Sequence, residues 1–235
     1  MIQHLPHSLP SFGHELVLDP CGATELGRDE VSDAKGELGA RPGVDMRRLE
    51  HAVREILLAL GEDPEREGLL DTPARAARAW RDLTVGARDD AARHLGRQFE
   101  HRTAAGEGLV AVRAVEFHSL CEHHLLPFSG RAHIAYVSAN DRVCGLSKIA
   151  RTVDVFARRL QMQERMTAEI ADALVEHLAP QSVAVVVEGQ HLCMRMRGAS
   201  KSAAEMLTTA FRGRFAHDRA ARSEAVHLLM ARSPC

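Results

Sequence analysis

Several things are missing from this sequence, and each absence removes a class of protein. No apolar run approaches the roughly 20 residues that a membrane-spanning helix needs, and the N-terminus has no basic segment leading into an uninterrupted apolar stretch, so a cytoplasmic protein is expected. Cysteine is scarce: Cys21, Cys121, Cys144, Cys193 and Cys235 are odd in number and widely spaced. That usage suits a reducing compartment and argues against a disulfide framework. Neither sign of charge dominates, since 30 Lys plus Arg stand against 32 Asp plus Glu, interspersed rather than blocked. No global field therefore recruits nucleic acid or a membrane surface, and any anion site must be local. Lysine is limited to Lys35, Lys148 and Lys201, so local cations are mostly arginines. Also absent are the phosphate-cradling Gly-x-x-x-x-Gly-Lys-Ser/Thr loop, the metalloprotease His-Glu-x-x-His, the Pro-Cys-x-x-Cys of zinc nucleobase deaminases, and paired Cys-x-x-Cys units. The last absence favours an open metal site over a closed structural one.

What is present suffices for a globular core, with 45% hydrophobic residues in 235. Residues 1–44 carry Pro, Gly and His without a sustained hydrophobic period and read as a poorly ordered extension. Residues 45–235 form the expected folded domain. Leu49, Val53, Ile56, Leu57 and Leu60 recur at helical spacing, with Asp45 placed to cap the start and Gly61 to end the helix. A second helix is expected in "DTPARAARAW", with Thr72 as cap and Pro73 in the first turn. The β-branched stretch from Leu109 to His118 and "RAHIAYVSA" read as paired strands about an "LPFSG" turn. A helix opened by Ser147 carries Ile149, Val153, Phe156 and Leu160 on one face, and the next carries Met166, Ile170, Leu174 and Leu178. "SVAVVVEG", "HLCMRMRG" and "EMLTTAFRGRF" supply later strands, and "RAARSEAVHLLMA" a last helix. The expected fold is α+β, an antiparallel sheet in β-β-α-α-β-β order behind N-terminal helices.

Within "HSLCEHHLLPFSG", Cys121 and His124 are three residues apart, close enough for one turn to aim both at a single ion. Catalytic zinc takes three protein ligands and leaves a fourth position to water. Cys193, on an expected late strand beside His191, is the best third candidate. A lone buried cysteine or histidine is more often core, which is the reading for Cys144 and His133, while Cys21 and Cys235 read as terminal thiols. Spacing alone leaves the cluster open between an imidazole-bearing core strand and a metal site.

Together, "SLCEHHLLPFSGRAHIAYV", "GLSKIARTVDVFARRLQMQERMT" and "GQHLCMRMRG" resemble the GTP cyclohydrolase I family, from about Met46 to the last helix. The resemblance implies the tunnelling fold, assembly into a decamer of two pentamers, and hydrolysis of GTP to 7,8-dihydroneopterin triphosphate and formate. It implies one zinc ion per subunit on Cys121, His124 and Cys193, whose acidified water attacks C8 of guanine. His123 is then the acid that protonates N7, with His191 and Ser147 carrying later protons. Glu164 becomes the guanine anchor, with Gln163 beside it. A carboxylate can accept from both N1–H and N2–H of guanine, a pair that adenine does not offer. Lys148, Arg151, Arg197 and Arg75 become triphosphate contacts, partly across subunit boundaries, though Arg75 could equally be a surface ion pair. After "MRG" the run "ASKSAAEMLTTAF" departs from the family's longer hydroxyl run, with Thr208 and Thr209 keeping some of it. That departure admits a relative that only opens the purine ring or uses another purine nucleotide. A silent zinc-binding assembly protein is the remaining alternative, yet it would need none of His123, His191, Glu164 and Lys148.

Overall fold

The computed structural model describes residues 43–100, 108–139 and 141–231. The expected extension over 1–44 falls almost entirely outside the described residues, as do Cys21 and Cys235. The first helix, α1 (Met46–Ala59), opens where the Asp45 carboxylate accepts from the Arg48 N–H at 3.0 Å, and Gly61 follows its end at φ +81°. In α2 (Thr72–Leu83) the cap is Asp71, and Thr72, expected in that place, is the first helical residue. The Asp71 carboxylate makes no capping bond and instead accepts from Arg75 at 2.9 Å. These helices pack against each other, but the apolar stripe of α1 is only partly covered: Val53 is buried while Ile56 and Leu60 stay 47% and 74% exposed.

A 3-10 turn (Val85–Arg88) and the short α3 (Ala91–Leu95) lead into β1 (Gln98–Glu100). Next come β2 (Leu109–Cys121), β3 (Pro127–Val137) and β4 (Arg142–Cys144), the last pairing with β1 in a small separate sheet. Then follow α4 (Leu146–Ala157), β5 (Leu160–Gln161), α5 (Gln163–Leu178), β6 (Ser182–His191), α6 (Leu192–Arg195), β7 (Met206–Gly213), α7 (Arg214–His217) and α8 (Arg219–Met230). The main sheet runs β5-β2-β3-β6-β7, antiparallel except for the two-residue pairing of β5 with β2. The expected β-β-α-α-β-β order is present as β2-β3-α4-α5-β6-β7.

β6 explains the layering. Val183, Val185 and Val187 point to the core that also holds Ile149 and Val153 of α4 and Met166, Ile170 and Leu174 of α5. Ala184 and Val186 point the other way, onto Phe215 of α7 and Ala225 and Leu229 of α8. Side chains alternate along a strand, so one covered on both faces must be apolar throughout.

Three local expectations are corrected. The hairpin turns at residues 122–126, not at "LPFSG": Pro127 to Gly130 lie in β3. Gly130 answers to the close approach of β6, since a Cβ there would sit 1.8 Å from the Glu188 carbonyl oxygen. Helix α4 is capped by Gly145, which leaves Ser147 inside the first turn, and it ends at Ala157, so Leu160 sits in β5 at 48% exposure rather than on the α4 stripe. Lastly, Cys193 lies in α6 and not on a strand. Its neighbour β3 starts at Pro127 and the pairing of Phe128 with His191 is the last of the ladder, so the chain beyond His191 has no strand to join. No helix among the described residues is long and apolar enough to cross a membrane.

Candidate metal centre and active site

The hairpin turn between β2 and β3 is closed by Cys121 N–H to Leu126 O at 2.9 Å and Leu125 N–H to Cys121 O at 2.8 Å. Leu125 takes up the left-handed conformation, φ +56°, that so tight a reversal needs. This turn sets Cys121 and His124 on one side. The antiparallel pairing of β3 with β6 then brings α6, and with it Cys193, against the same turn. One ligand atom from each of Cys121, His124 and Cys193 lies within 4.8 Å of the others, and the two Sγ atoms are 3.9 Å apart. Zinc–sulfur bonds of about 2.3 Å at a tetrahedral angle separate two sulfurs by about 3.8 Å, so the donors fit such an ion. Burial, and then the adjoining Cys121 sulfur, push the Cys193 thiol above its ordinary range. A cation between the two sulfurs would remove that resistance to ionisation.

His123 stands beside the donors, with Nδ1 3.8 Å from Cys121 Sγ and its ring edge-on to His124. His191, the last residue of β6, stacks flat on Phe128 at 4.4 Å and 6°, and its Nε2 is 2.9 Å from Gln163 Oε1. Burial holds its imidazole below the ordinary value, opposed by the charge of Glu164. Glu164 lies exposed in the first turn of α5, whereas the adjacent Gln163 is wholly enclosed. These groups share one cavity of about 380 Å³, lined by Cys121, His123, His124, Glu164, His191 and Cys193, with Met162, Met194 and Met206 in its wall. Its size is that of a small-molecule site.

Ser147, Lys148, Arg151, Arg75 and Arg197 do not line that cavity. Ser147, Lys148 and Arg151 occupy the start of α4, with Ser147 and Arg151 exposed and Lys148 half-buried. Arg75 is paired with Asp71 at 2.9 Å, both largely exposed. Arg197 is exposed beyond α6, where its charge acts weakly on Cys193. Cys144 is core, as expected, and its N–H donates to the Tyr136 hydroxyl. His133 is buried too: the Ala114 N–H donates to Nδ1 at 3.4 Å, and Nε2 lies 3.8 Å from the Glu188 carboxylate.

Sequence reasoning missed four residues around the site. Phe128 supports His191, and Thr167 and Thr208 bond to Gln163 and to each other. Arg165 bonds the Glu122 carboxylate and thereby joins the metal-ligand turn to α5. Only Thr208 left a trace in the sequence, within the altered hydroxyl run. Apart from the Thr167 bond to the Gln163 backbone oxygen one helical turn away, the other contacts join residues far apart in the chain.

An antiparallel α+β sheet with a thiol–imidazole triad, two further imidazoles and a carboxylate around one cavity is the arrangement of an enzyme built on a candidate metal site. The family model for GTP cyclohydrolase I matches residues 49–230, and the chain belongs to that family. It shares the family's tunnelling fold. It is 49% identical over 191 residues to GTP cyclohydrolase 1 of Carboxydothermus hydrogenoformans, covering 81% of this chain and 98% of that one. With the enzyme of that name from Thermobifida fusca it shares 50% identity over 194 residues, covering 82% and 92%. With that of Mycobacterium ulcerans it shares 49% over 199 residues, covering 84% and 97%.

Proposed function

We propose that this protein hydrolyses GTP to 7,8-dihydroneopterin triphosphate and formate, with residues 45–235 as its catalytic domain and residues 1–44 as an extension. The observation that carries this reading is the meeting of Cys121, His124 and Cys193 with His123, His191 and Glu164 around one cavity, in a chain of this family. Zinc bound by the three donors would supply a Lewis acid and a water acidified toward neutrality.

The chain's own residues do the rest. Glu164 accepts from N1–H and N2–H of guanine, which sets the purine in the cavity and disfavours adenine. His123 gives a proton to N7 as water adds at C8, which opens the imidazole ring to a formamide. A second water releases formate. The ribose then opens through an imine, rearranges to an amino ketone and recloses on the pyrimidine amine with loss of water, so one water is consumed overall. His191 carries protons in these later steps. Ser147, Lys148 and Arg151, at the positive start of α4, serve the triphosphate and its proton transfers in the site of a neighbouring copy, with Arg197 and Arg75 as further cations. The assembly that this requires is a decamer of two pentamers, working in the cytoplasm at the start of pterin and folate synthesis.

The test is to give the zinc-loaded protein GTP alone, identify products by mass and assay formate in parallel. A pterin triphosphate with equimolar formate is expected. A hydrated GTP mass without pterin would make it a ring-opening relative, and unreacted GTP with zinc fully bound would overturn the catalytic reading.

A further inference from the structure

The amide of Gln163 is used up within the wall of the site. Its side chain is 0% exposed and fills the space left by Gly189, where a Cβ would lie 2.2 Å from Oε1. Nε2 is 3.0 Å from the Val187 carbonyl oxygen, 3.0 Å from that of Met206 and 3.1 Å from Thr208 Oγ1. Carbonyl oxygens only accept, so the NH₂ end of the amide must face them. The two threonines agree with this orientation. Thr167 Oγ1 is 2.7 Å from the Gln163 backbone oxygen, to which it donates, so it accepts from the Thr208 hydroxyl at 2.6 Å. Thr208 thus keeps lone pairs for the amide hydrogens. The other end of the amide, Oε1, can only accept, and it faces His191 Nε2 at 2.9 Å. Nε2 must therefore carry the ring hydrogen, and Nδ1 is left as the unprotonated nitrogen. Phe128, stacked on the ring, fixes its plane.

We propose that Gln163 is a positioning residue and not a guanine contact: with Thr167, Thr208 and the space at Gly189 it locks His191 in the Nε2–H tautomer and aims Nδ1 at the reaction. The proposal rests on the GTP hydrolysis reading for its kinetic consequence, but not for the tautomer itself. The resemblance implied a substrate role for Gln163 because the residue neighbours Glu164. Both residues line the cavity, but Glu164 is exposed there, whereas the Gln163 amide is buried with both of its ends already bonded within the protein.

Two measurements test it. In mildly alkaline buffer, where the ring is neutral, ¹⁵N solid-state NMR of histidine-labelled protein reads the tautomer directly, with His191 assigned by the signals lost in His191→Ala. A protonated Nε2 and bare Nδ1 are expected, and the reverse pattern or an averaged one would overturn the proposal. This measurement needs no turnover, so it stands apart from the activity reading. Gln163→Met, close in volume but unable to accept, should lower kcat about 10- to 100-fold, at or below the usual worth of a proton carrier, with KM for GTP within about twofold and zinc content unchanged. Placed on His191→Ala it should cost nothing more, because it acts through that residue. A rise in KM at constant kcat, or losses that multiply in the double variant, would return Gln163 to the substrate and sink the proposal. Should Gln163→Met not fold, Thr208→Val removes a single hydroxyl of the same network, and its smaller loss in kcat must likewise vanish on His191→Ala.

Discussion

At the scale of single residues, the adjacent pair His123 and His124 divides one task from another. His124 belongs to the donor set, while His123 lines the cavity beside it. His123→Asn is expected to keep a full complement of zinc by elemental analysis and to lose about 10²- to 10⁴-fold in turnover. Loss of the metal in that variant would undo the division. A different imidazole links stability to acid. His133 is enclosed by the sheet and by α8, and burial holds its pKa below the ordinary value of about 6.5, with Glu188 at 3.8 Å opposing and Arg113 and Arg131 reinforcing the shift. The unfolded ring therefore takes up a proton at a pH where the folded ring does not, so the contribution of His133 to stability is full above about 6.5 and is lost as the solution becomes more acidic, until the folded ring also titrates. Unfolding midpoints measured across this range should fall toward acid in the native protein and fall less in His133→Gln. Parallel profiles would place the acid sensitivity elsewhere.

At the scale of elements, the site depends on a turn and on what holds it. Arg165 of α5 bonds the Glu122 carboxylate within the metal-ligand turn, and that bond foremost keeps Glu122 below the ordinary carboxylate range. Because the pair is partly exposed and open to solvent screening, Arg165→Met should change stability little. Its effect on zinc should be larger, about a tenfold loss of affinity by competition with a chelator, since support of a ligand turn typically matters by 10- to 100-fold. Unchanged affinity would make the pair a surface feature only. The same turn shows what local sequence can convey. Cys121 and His124 were legible because both are set by one reversal of the chain, and the helices were legible because their apolar spacing repeats. The turn itself was misplaced onto "LPFSG", since Pro127 already pairs with Leu120 in the β2–β3 ladder and Gly130 answers to the close approach of β6, not to a reversal. Cys193 was misplaced onto a strand because the sequence does not reveal where the neighbouring strand runs out.

At the scale of the whole molecule, the cations that the resemblance assigned to the triphosphate are not gathered at the cavity within one chain, which the sequence did not reveal. Glu164 and the metal donors converge within the chain, while Ser147, Lys148 and Arg151, at the start of α4, do not line their cavity. Surfaces left open in the chain bear on this. Ile56, Leu58 and Leu60 of α1 are 47%, 47% and 74% exposed, and Leu70 ahead of α2 is 56% exposed, with no cover from the described residues. Burying one such side chain fully is worth about 1.5–3 kcal/mol, so together they can drive association of copies. Two charges placed there, Ile56→Glu with Leu60→Glu, should lower the mass by light scattering from a large assembly to a smaller species. The fold and the zinc content should persist, because neither position touches the core or the donors. GTP turnover should fall at least about tenfold, and more steeply on dilution, because the triphosphate contacts would leave with the neighbouring copy. A dissociated double variant with full turnover at every concentration would show that a lone chain holds the whole site, and the cations of α4 would then have to reach the cavity by a movement within the subunit.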